Sequence, residues 1–217
     1  MNMYKYPRTP HLPFSESRTD DDKTLESDEK FYDFEEVIVT IKMDGENTTV
    51  YPDGTFHARS LDCRHHDYQS WLLNYIQYWA YQIPEKHRIC GEYLYARHSI
   101  EYNELDSYYM AFSLWNNGVC CSWDESVKLF DKLGICHVPV IFTGKYDTAK
   151  IKELAKQVIG DGHEGIVVRD AEAFNYGFFD AHVAKYVRAN HVQTDKHWLS
   201  QEIVQNGLRQ GKDKEMK

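Results

Sequence analysis

The chain has 217 residues, 42% of them apolar and 14% aromatic, which suffices for the core of one large domain. Its net charge of −9 argues against a broad basic surface for nucleic acid, so any such surface must be local. No apolar run approaches the roughly 20 residues that span a bilayer, and the amino terminus lacks the apolar segment of a signal peptide. Five cysteines without a CxxC pair are typical of a reducing compartment. We therefore expect a cytoplasmic protein without membrane contact, and we take it to be a monomer.

The amino-terminal part of the chain differs in character from the remainder. Residues 7–29 contain prolines, are polar and show no periodicity, so residues 1–35 are predicted to form an irregular arm. Residues 37–41 are β-branched and few, which is typical of a buried strand. Next, Pro52-Asp53-Gly54 separates two β-rich runs, and Asp-Gly in that position is a strong hairpin signal.

Helical signals occur at several points along the chain. Asp67 is a candidate cap for a helix along which tryptophan and tyrosine side chains share one face. A capping box of Ser122 and Glu125 opens another helix, and Gly134 closes it. A further amphipathic segment stops at Gly160. The predicted helices cover residues 67–82, 122–134, 151–160 and 195–208, the last followed by a charged tail.

Strand signals are more numerous than helical ones. Strands outnumber helices and follow one another in hairpin-like succession, so the predicted class is α+β with mostly antiparallel sheets flanked by helices. The sequence contains no internal repeat, no Gly-rich phosphate loop and no Cys/His spacing typical of a metal site. Further strands are predicted at residues 88–95, 108–115, 139–143, 165–169 and 183–188.

Lys42 directly follows the first predicted strand, so it begins in an apolar layer and ends at the rim of a sheet. Desolvation lowers the pKa of an amine in such a place. This matters because an unperturbed lysine, with a pKa of about 10.4, is almost fully protonated at pH 7 and is then no nucleophile. A nucleophilic lysine needs either a pKa nearer about 7–8 or a proton acceptor beside it. Asp44 is a candidate to orient the amine, and Gly45 permits a tight turn and close ligand approach. A Lys-x-Asp-Gly turn without chemistry is the alternative.

Three further charged residues lie on or beside predicted strands. Glu92 has apolar and aromatic neighbours, which is costly unless its carboxylate accepts hydrogen bonds, for example from ribose hydroxyls. Glu164 precedes a strand, and a carboxylate at a strand mouth can hold Mg²⁺. Lys185 lies in the last predicted strand, where a cation can neutralise a phosphate. Each of the three also fits an ordinary exposed position on a strand.

Together and in this order, these blocks resemble the covalent nucleotidyltransferase superfamily of ATP-dependent ligases and mRNA capping enzymes. The strand at residues 109–115 falls where motif IIIa is expected. The presence of Asn47 after motif I and of Arg59 in its strand resembles the pattern of the RNA ligases more than that of the DNA ligases. The resemblance extends from about residue 36 to 190. The matching motifs are Lys42-x-Asp44-Gly45 (I), Gly91-Glu92-Tyr93-Leu94 (III), Glu164-Gly165-Ile166-Val167 (IV) and Lys185-Tyr186 (V).

The resemblance implies an adenylyltransferase domain at residues 36–190, of the ATP-grasp-like ligase type, with residues 191–217 as a terminal helix and tail. About 30 residues follow motif V, too few for the oligonucleotide-binding (OB) barrel of DNA ligases and capping enzymes, so we expect no OB domain. The implied roles are AMP attachment at Lys42, orientation of its amine by Asp44, phosphate contact by Arg59, ribose binding by Glu92, base stacking by Phe112, Mg²⁺ or Mn²⁺ binding by Glu164 and α-phosphate binding by Lys185.

Motif V departs from the family pattern, because many relatives have Lys-x-Lys there. Either Lys185 is the second lysine and Val183 replaces the first, or Arg188 substitutes from a shifted register.

In the arm, Arg8 and His11 are candidates to reach the active site, the alternative being a packed irregular arm. Most of the acidic residues between positions 16 and 36 are interpreted as a solvated face. The candidate nucleic-acid contacts are Asn47, Arg59, Arg64, Arg97 and Arg188.

The predicted function rests on these motifs together. The resemblance implies an ATP-dependent RNA ligase that forms a lysyl-AMP intermediate and joins 5′-phosphate to 3′-hydroxyl ends. The predicted substrate is RNA, or an RNA-containing duplex with a nick. The alternatives are an ATP-dependent DNA ligase, a guanylyltransferase and an inert module that binds nucleotide or RNA.

Overall fold

The computed structural model of the protein describes residues 3–16, 22–61, 66–189 and 203–210. Within these ranges the strands are β1 (Val37–Lys42), β2 (Glu46–Val50), β3 (Phe56–Ala58), β4 (His87–Tyr93), β5 (Tyr109–Asn116), β6 (Val119–Cys120), β7 (Val140–Gly144), β8 (Gly165–Asp170), β9 (Phe174–Asn175) and β10 (Val183–Val187). They form a four-stranded sheet in the order β10-β8-β1-β7 and a six-stranded sheet in the order β3-β2-β4-β5-β6-β9. All pairs of neighbours are antiparallel, which confirms the predicted α+β class.

The helices of the described ranges are α1 (Ser70–Ile76), α2 (Trp123–Leu133), α3 (Thr148–Gly160) and α4 (Phe179–His182). α2 confirms the predicted capping box, because Ser122 and Glu125 bond reciprocally at its start. Gly134 ends it in the left-handed conformation, with φ of 67°. None of these helices is both long and apolar enough to cross a membrane.

The helix predicted over residues 67–82 is wrong in extent. Only α1 is α-helical there, and single 3-10 turns at Asp67–Gln69 and Ala80–Gln82 flank it. The segment is rich in tyrosine and tryptophan, which favour helix only weakly. Packing decides its geometry instead: Trp71 meets Tyr108 edge to face at 5.1 Å.

β1 is buried on both faces, as its continuous apolar run predicts. Val37 and Val39 pack in one core with Ile151 of α3. Ile38 belongs to a second core, which includes Ile89 of the six-stranded sheet. β1 therefore lies between two apolar cores, and Lys42 at its end emerges from both.

The terminal helix predicted from Asp195 to Leu208 is wrong for its described part. Residues 203–210 are extended, with bridges from Gln205 to Ala96 and from Leu208 to Leu105. The side chain of Asn206 explains this path, because its amide donates to the carbonyl of Leu94 at 2.8 Å. Residues 190–202, where that helix would begin, lie outside the described residues.

Candidate active site

Lys42 ends β1 and pairs in register with Gly165 at the start of β8. Its Nζ atom donates a hydrogen bond of 2.6 Å to Oε2 of Glu164, which directly precedes β8. The Lys42 side chain is 24% exposed and the Glu164 side chain only 4%. Gly165 permits this arrangement, since a Cβ atom there would lie 1.9 Å from the carbonyl oxygen of Tyr186. A partly buried amine is thus held against a buried carboxylate.

Of the two conditions that the sequence left open for a nucleophilic Lys42, a lowered pKa or a proton acceptor beside the amine, the first is not met. Burial does lower the pKa of this amine, but the negative charges of Glu164 and Glu92, with the hydrogen bond to Glu164, outweigh burial and raise it. The sequence showed the apolar strand on which the amine lies and not the carboxylates that other elements bring to it. Lys42 must therefore lose a proton to its surroundings before it can act as a nucleophile.

Glu92 approaches Lys42 from β4, in the other sheet. Its Oε1 accepts a hydrogen bond of 3.1 Å from the backbone N–H of Gly45. Burial raises the pKa of Glu92 to about 8, although the charge of Lys42 acts in the opposite direction. Gly45 lies so close to β4 that a Cβ atom there would be 2.5 Å from the carbonyl oxygen of Tyr93. The motif glycine is therefore required by contact with the protein's own backbone.

Asp44 is buried beside Lys42 and accepts three hydrogen bonds at one oxygen. The donors to its Oδ2 are the backbone N–H of Ser99 at 2.8 Å, the Ser99 hydroxyl at 2.7 Å and the backbone N–H of Ile100 at 2.9 Å. The hydroxyl of Tyr102 accepts from the Asp44 N–H at 3.0 Å. Asp44 thereby fixes the segment at residues 99–102 against the lysine turn. No motif marks Ser99, because its partner lies 55 residues earlier in the chain.

Lys185 lies on β10, separated from β1 by β8. Burial, together with the charge of Lys42, lowers the pKa of Lys185, and the negative charges of Asp22 and Glu164 only partly oppose this. Arg188, just beyond β10, donates its backbone N–H to the carbonyl of Glu164 at 3.0 Å, so it lies at the same end of the sheet as Lys42. The four-stranded sheet thus brings two lysines, a carboxylate and an arginine together near one end of its strands.

The amino-terminal arm also reaches this group of charged residues, at Lys185. Oδ1 of Asp22 is 3.6 Å from the Nζ atom of Lys185, so Asp22 is an exception to the interpretation of the acidic stretch as a solvated face. His11 is 2% exposed and forms a parallel bridge with Lys185, whereas Arg8 is exposed. Asp22 had no sequence signal, because its partner is far away in the chain.

Phe112 lies at a bulge in β5, where the register with β4 shifts. Arg169 supports the bulge, because its Nη1 donates to the Phe112 carbonyl at 3.3 Å and its Nη2 to that of Cys121 at 3.1 Å. The partly exposed ring of Phe112 meets the ring of Tyr6 edge to face at 5.1 Å. Val167 of β8 packs in the same cluster. Phe112 therefore lies where the two sheets and the arm meet.

The predicted nucleic-acid contacts divide into two groups. Asn47 pairs in register with Glu92 and so lies beside the site, as Arg188 does. Arg59, just after β3, is exposed, and the Arg97 side chain is 41% exposed on the segment that follows β4. Arg64 lies outside the described residues.

A divalent metal fits this site in one respect. Carboxylate oxygens are the donors that Mg²⁺ and Mn²⁺ prefer, and Glu164, Glu92 and Asp44 all act electrostatically on Lys42. Within the described ranges, no group of three or more His, Cys, Asp or Glu side chains is arranged to hold a metal. The donor set thus fits an ion that shares its coordination with water and a phosphate ligand, as Mg²⁺ commonly does.

Comparison with known proteins agrees with this geometry. A family model described as RNA ligase matches residues 35–187, well over half of the chain. The chain belongs to the RNA ligase family. No curated protein matches the sequence. Membership confirms the resemblance that the four motifs indicated.

Solved ligase structures share the fold. An archaeal ATP-dependent RNA ligase superposes with a TM-score of 0.57 at 15% identity, over 84% of this chain and 48% of that one. A Naegleria gruberi RNA ligase with pyrophosphate gives 0.54 at 17% identity, over 86% and 61%. A putative ATP-dependent DNA ligase from Aquifex aeolicus gives 0.57 at 22% identity, over 85% and 50%. The RNA ligase family member described here thus covers between 48% and 61% of the length of these ligases.

Proposed function

We propose that this RNA ligase family member is an ATP-dependent RNA ligase that carries AMP covalently on Lys42. The observation that carries the proposal is the 2.6 Å contact between Lys42 and the buried Glu164, with Glu92 and Lys185 close enough to act on the same charges. The archaeal structural neighbour is named an ATP-dependent RNA ligase, and a Naegleria gruberi RNA ligase mutant has been solved with ATP and Mn. These names support ATP and a divalent ion as ligands.

Each residue of the cluster receives a role in this proposal. Lys42 is the nucleophile, Asp44 fixes the turn that orients it, and Glu92 accepts hydrogen bonds from the ribose. Glu164 would hold the divalent ion, which would supply positive charge at the phosphates. In the proposal Lys185 supplies the fixed positive charge for the α-phosphate, and Arg188, at the same end of the sheet, adds a second. Phe112 offers a ring face to the base.

The chemistry then proceeds in three transfers. The Lys42 amine, after its proton has left, attacks the α-phosphorus of ATP, so a P–N bond forms as the bond to pyrophosphate breaks. That proton passes to solvent, to which the Lys42 side chain is 24% exposed, while the 2.6 Å hydrogen bond to Glu164 orients the amine before the ion is bound. AMP then passes from Lys42 to a 5′-phosphate, and a 3′-hydroxyl displaces it to form the phosphodiester. Positioning and charge neutralisation are the contributions that such transfers need from a protein.

Self-adenylation tests the proposal directly. Protein incubated with ATP and Mg²⁺ or Mn²⁺ should gain the mass of one AMP, in a bond that acid breaks. Lys42→Ala and Lys42→Arg should both fail, the second because a guanidinium group does not deprotonate. Labelled GTP in a parallel reaction separates a guanylyltransferase from an adenylyltransferase. An adduct that persists in Lys42→Ala would refute the assignment.

The proposed substrate is a nick with an RNA 3′-hydroxyl end, in RNA or an RNA-containing duplex. Asn47 lies beside Glu92, as expected of a residue that reads the sugar at the reacting end. The net charge of −9 leaves room for few phosphate contacts, so the affinity should depend only weakly on salt. The test compares sealing of nicked duplexes that differ only in the sugar on the 3′-hydroxyl side, with a single-stranded RNA alongside. Equal sealing of an all-DNA nick would favour the DNA ligase alternative, to which the Aquifex aeolicus neighbour also points.

A further inference from the structure

The amino-terminal arm lies alongside β10 and forms hydrogen bonds with both the backbone N–H and the backbone carbonyl of Lys185. The N–H of Lys185 donates to the carbonyl of Pro10 at 2.9 Å, and its carbonyl accepts from the N–H of Leu12 at 2.8 Å. His11, between these two, is 2% exposed. The backbone N–H of His11 donates to the carbonyl of Lys23 at 2.7 Å, which brings the second half of the arm next to the first.

This arrangement brings a carboxylate to the Lys185 side chain. Asp22 Oδ1 lies 3.6 Å from Lys185 Nζ, and Asp22 Oδ2 lies 3.5 Å from His11 Nε2, an ion-pair distance when the ring is protonated. The carboxylate thus lies between the lysine and the histidine. The other ring nitrogen, Nδ1 of His11, is 2.9 Å from the hydroxyl of Ser15. That hydroxyl accepts from the backbone N–H of Val187 at 3.1 Å. Both ends of this chain of contacts therefore rest on β10.

The burial of Lys185 makes its charge depend on the carboxylate of Asp22. The Lys185 side chain is only 17% exposed, and a buried ammonium group without a counter-charge loses its proton more readily. The charged groups that act on it are Asp22 of the arm, Lys42 at the end of β1 and Glu164 before β8, and His11 lies next to Asp22. The pKa of Lys185 is lowered on balance, by burial first and also by the charge of Lys42, and the two carboxylates oppose that shift. If Glu164 engages a metal, Asp22 is the counter-charge that remains.

We propose that Asp22 and His11 are positioning residues that hold Lys185 in place, as a cation, for the phosphates of the nucleotide. Asp22 fixes the ammonium group, and His11 fixes Asp22. The inference rests on the proposed function, in which Lys185 binds the α-phosphate. It gives the arm a part in nucleotide binding that neither the motifs nor the family match assigns to it.

Asp22→Asn tests the inference, because it keeps the shape of the side chain and removes its charge. We expect the KM for ATP in self-adenylation to rise several-fold at pH 8. The alkaline fall of the rate should also begin about one pH unit lower, the lower end of the shift that one adjacent opposite charge produces. Asp22→Glu should restore most of the loss. His11→Leu should act in the same direction more weakly, and His11→Gln, which keeps a donor, less still.

The matched control is Asp180→Asn. Asp180 pairs with Lys23 of the same arm at 2.9 Å, but both side chains are about half exposed and the pair does not touch Lys185. If loosening of the arm were the cause, Asp180→Asn would reproduce the effect; we expect wild-type values. Thermal unfolding of each variant identifies any change that merely reflects lost stability.

The outcomes separate the inference from the proposed function. An unchanged KM and pH profile in Asp22→Asn would overturn the inference, provided that Lys185→Ala abolishes adenylation. A lower KM in Asp22→Asn would overturn it too, because the carboxylate would then compete with phosphate for Lys185. If Lys185→Ala adenylates normally, both the assigned role of Lys185 and the inference fail, whereas loss of the adduct in Lys42→Ala still supports the lysyl-AMP assignment.

Discussion

Glu164→Gln should lower the pKa of Lys42, and the contact between the two residues sets the size of the effect. The amide keeps the shape of the side chain and removes the charge that lies 2.6 Å from Lys42 Nζ. An adjacent opposite charge typically shifts a pKa by about 1–3 units. Burial, which lowers the pKa of Lys42, then meets opposition only from Glu92 and the more weakly acting Asp44. A fall of two units corresponds to an approximately hundredfold larger neutral fraction at pH 7.

Competitive acylation measures this pKa without relying on ligase activity. A small amine-reactive reagent, with a peptide amine as internal standard and a chelator present, would be applied between pH 6 and 11, and the Lys42 peptide quantified by mass spectrometry. The exposed pair Lys150 and Glu153, 3.1 Å apart, provides the matched control, because solvent screens it and Glu153→Gln should leave the acylation of Lys150 unchanged. The reasoning is refuted if the Lys42 midpoint in Glu164→Gln agrees with the wild-type value within a few tenths of a unit.

Three further variants test other contacts of the site. Because burial raises the pKa of Glu92 to about 8, the folded protein retains a proton on Glu92 that the unfolded chain loses near pH 4.5. The folded protein should therefore lose stability as the pH rises from about 5 to 8. Glu92→Gln should remove this loss, as measured by thermal unfolding across that range. Asp44→Ala leaves three donors without their acceptor and should cost about 3 kcal/mol or more in urea unfolding, a value below 1 kcal/mol contradicting the hydrogen bonds described. Gly165→Ala should yield no folded protein, since its Cβ atom would lie 1.9 Å from the Tyr186 carbonyl, whereas Gly160→Ala, with open space around its Cβ atom, should fold normally by circular dichroism.

Sequence reasoning succeeded where the signal was local. The capping box at Ser122 and the Gly134 stop depend on residues a few positions apart, so α2 was predictable. The four motifs each belong to one strand or strand mouth, and the antiparallel register of β1, β8 and β10 then brings Lys42, Glu164 and Lys185 together.

The failures share one cause, which is contact between residues distant in the chain. Asn206 and its neighbours pair with the segment after β4, and this pairing overrides any local tendency to helix. The Lys42 pKa depends on Glu92 and Glu164, which two other parts of the chain deliver, so the apolar character of β1 alone did not give the direction of the shift. The ion pair of Asp22 with Lys185 is similarly invisible until the arm is placed.

The backbone bonds from the arm to Lys185 have a consequence for the integrity of the molecule. β10 is an edge strand of its sheet, and an uncovered edge offers free N–H and C=O groups to any other polypeptide. Pro10 and Leu12 occupy those groups from within the same chain. Removal of the arm would therefore expose the backbone N–H and C=O groups of Lys185, to which a second molecule could add its own strand. Self-association of a truncated protein would thus begin beside the proposed active site.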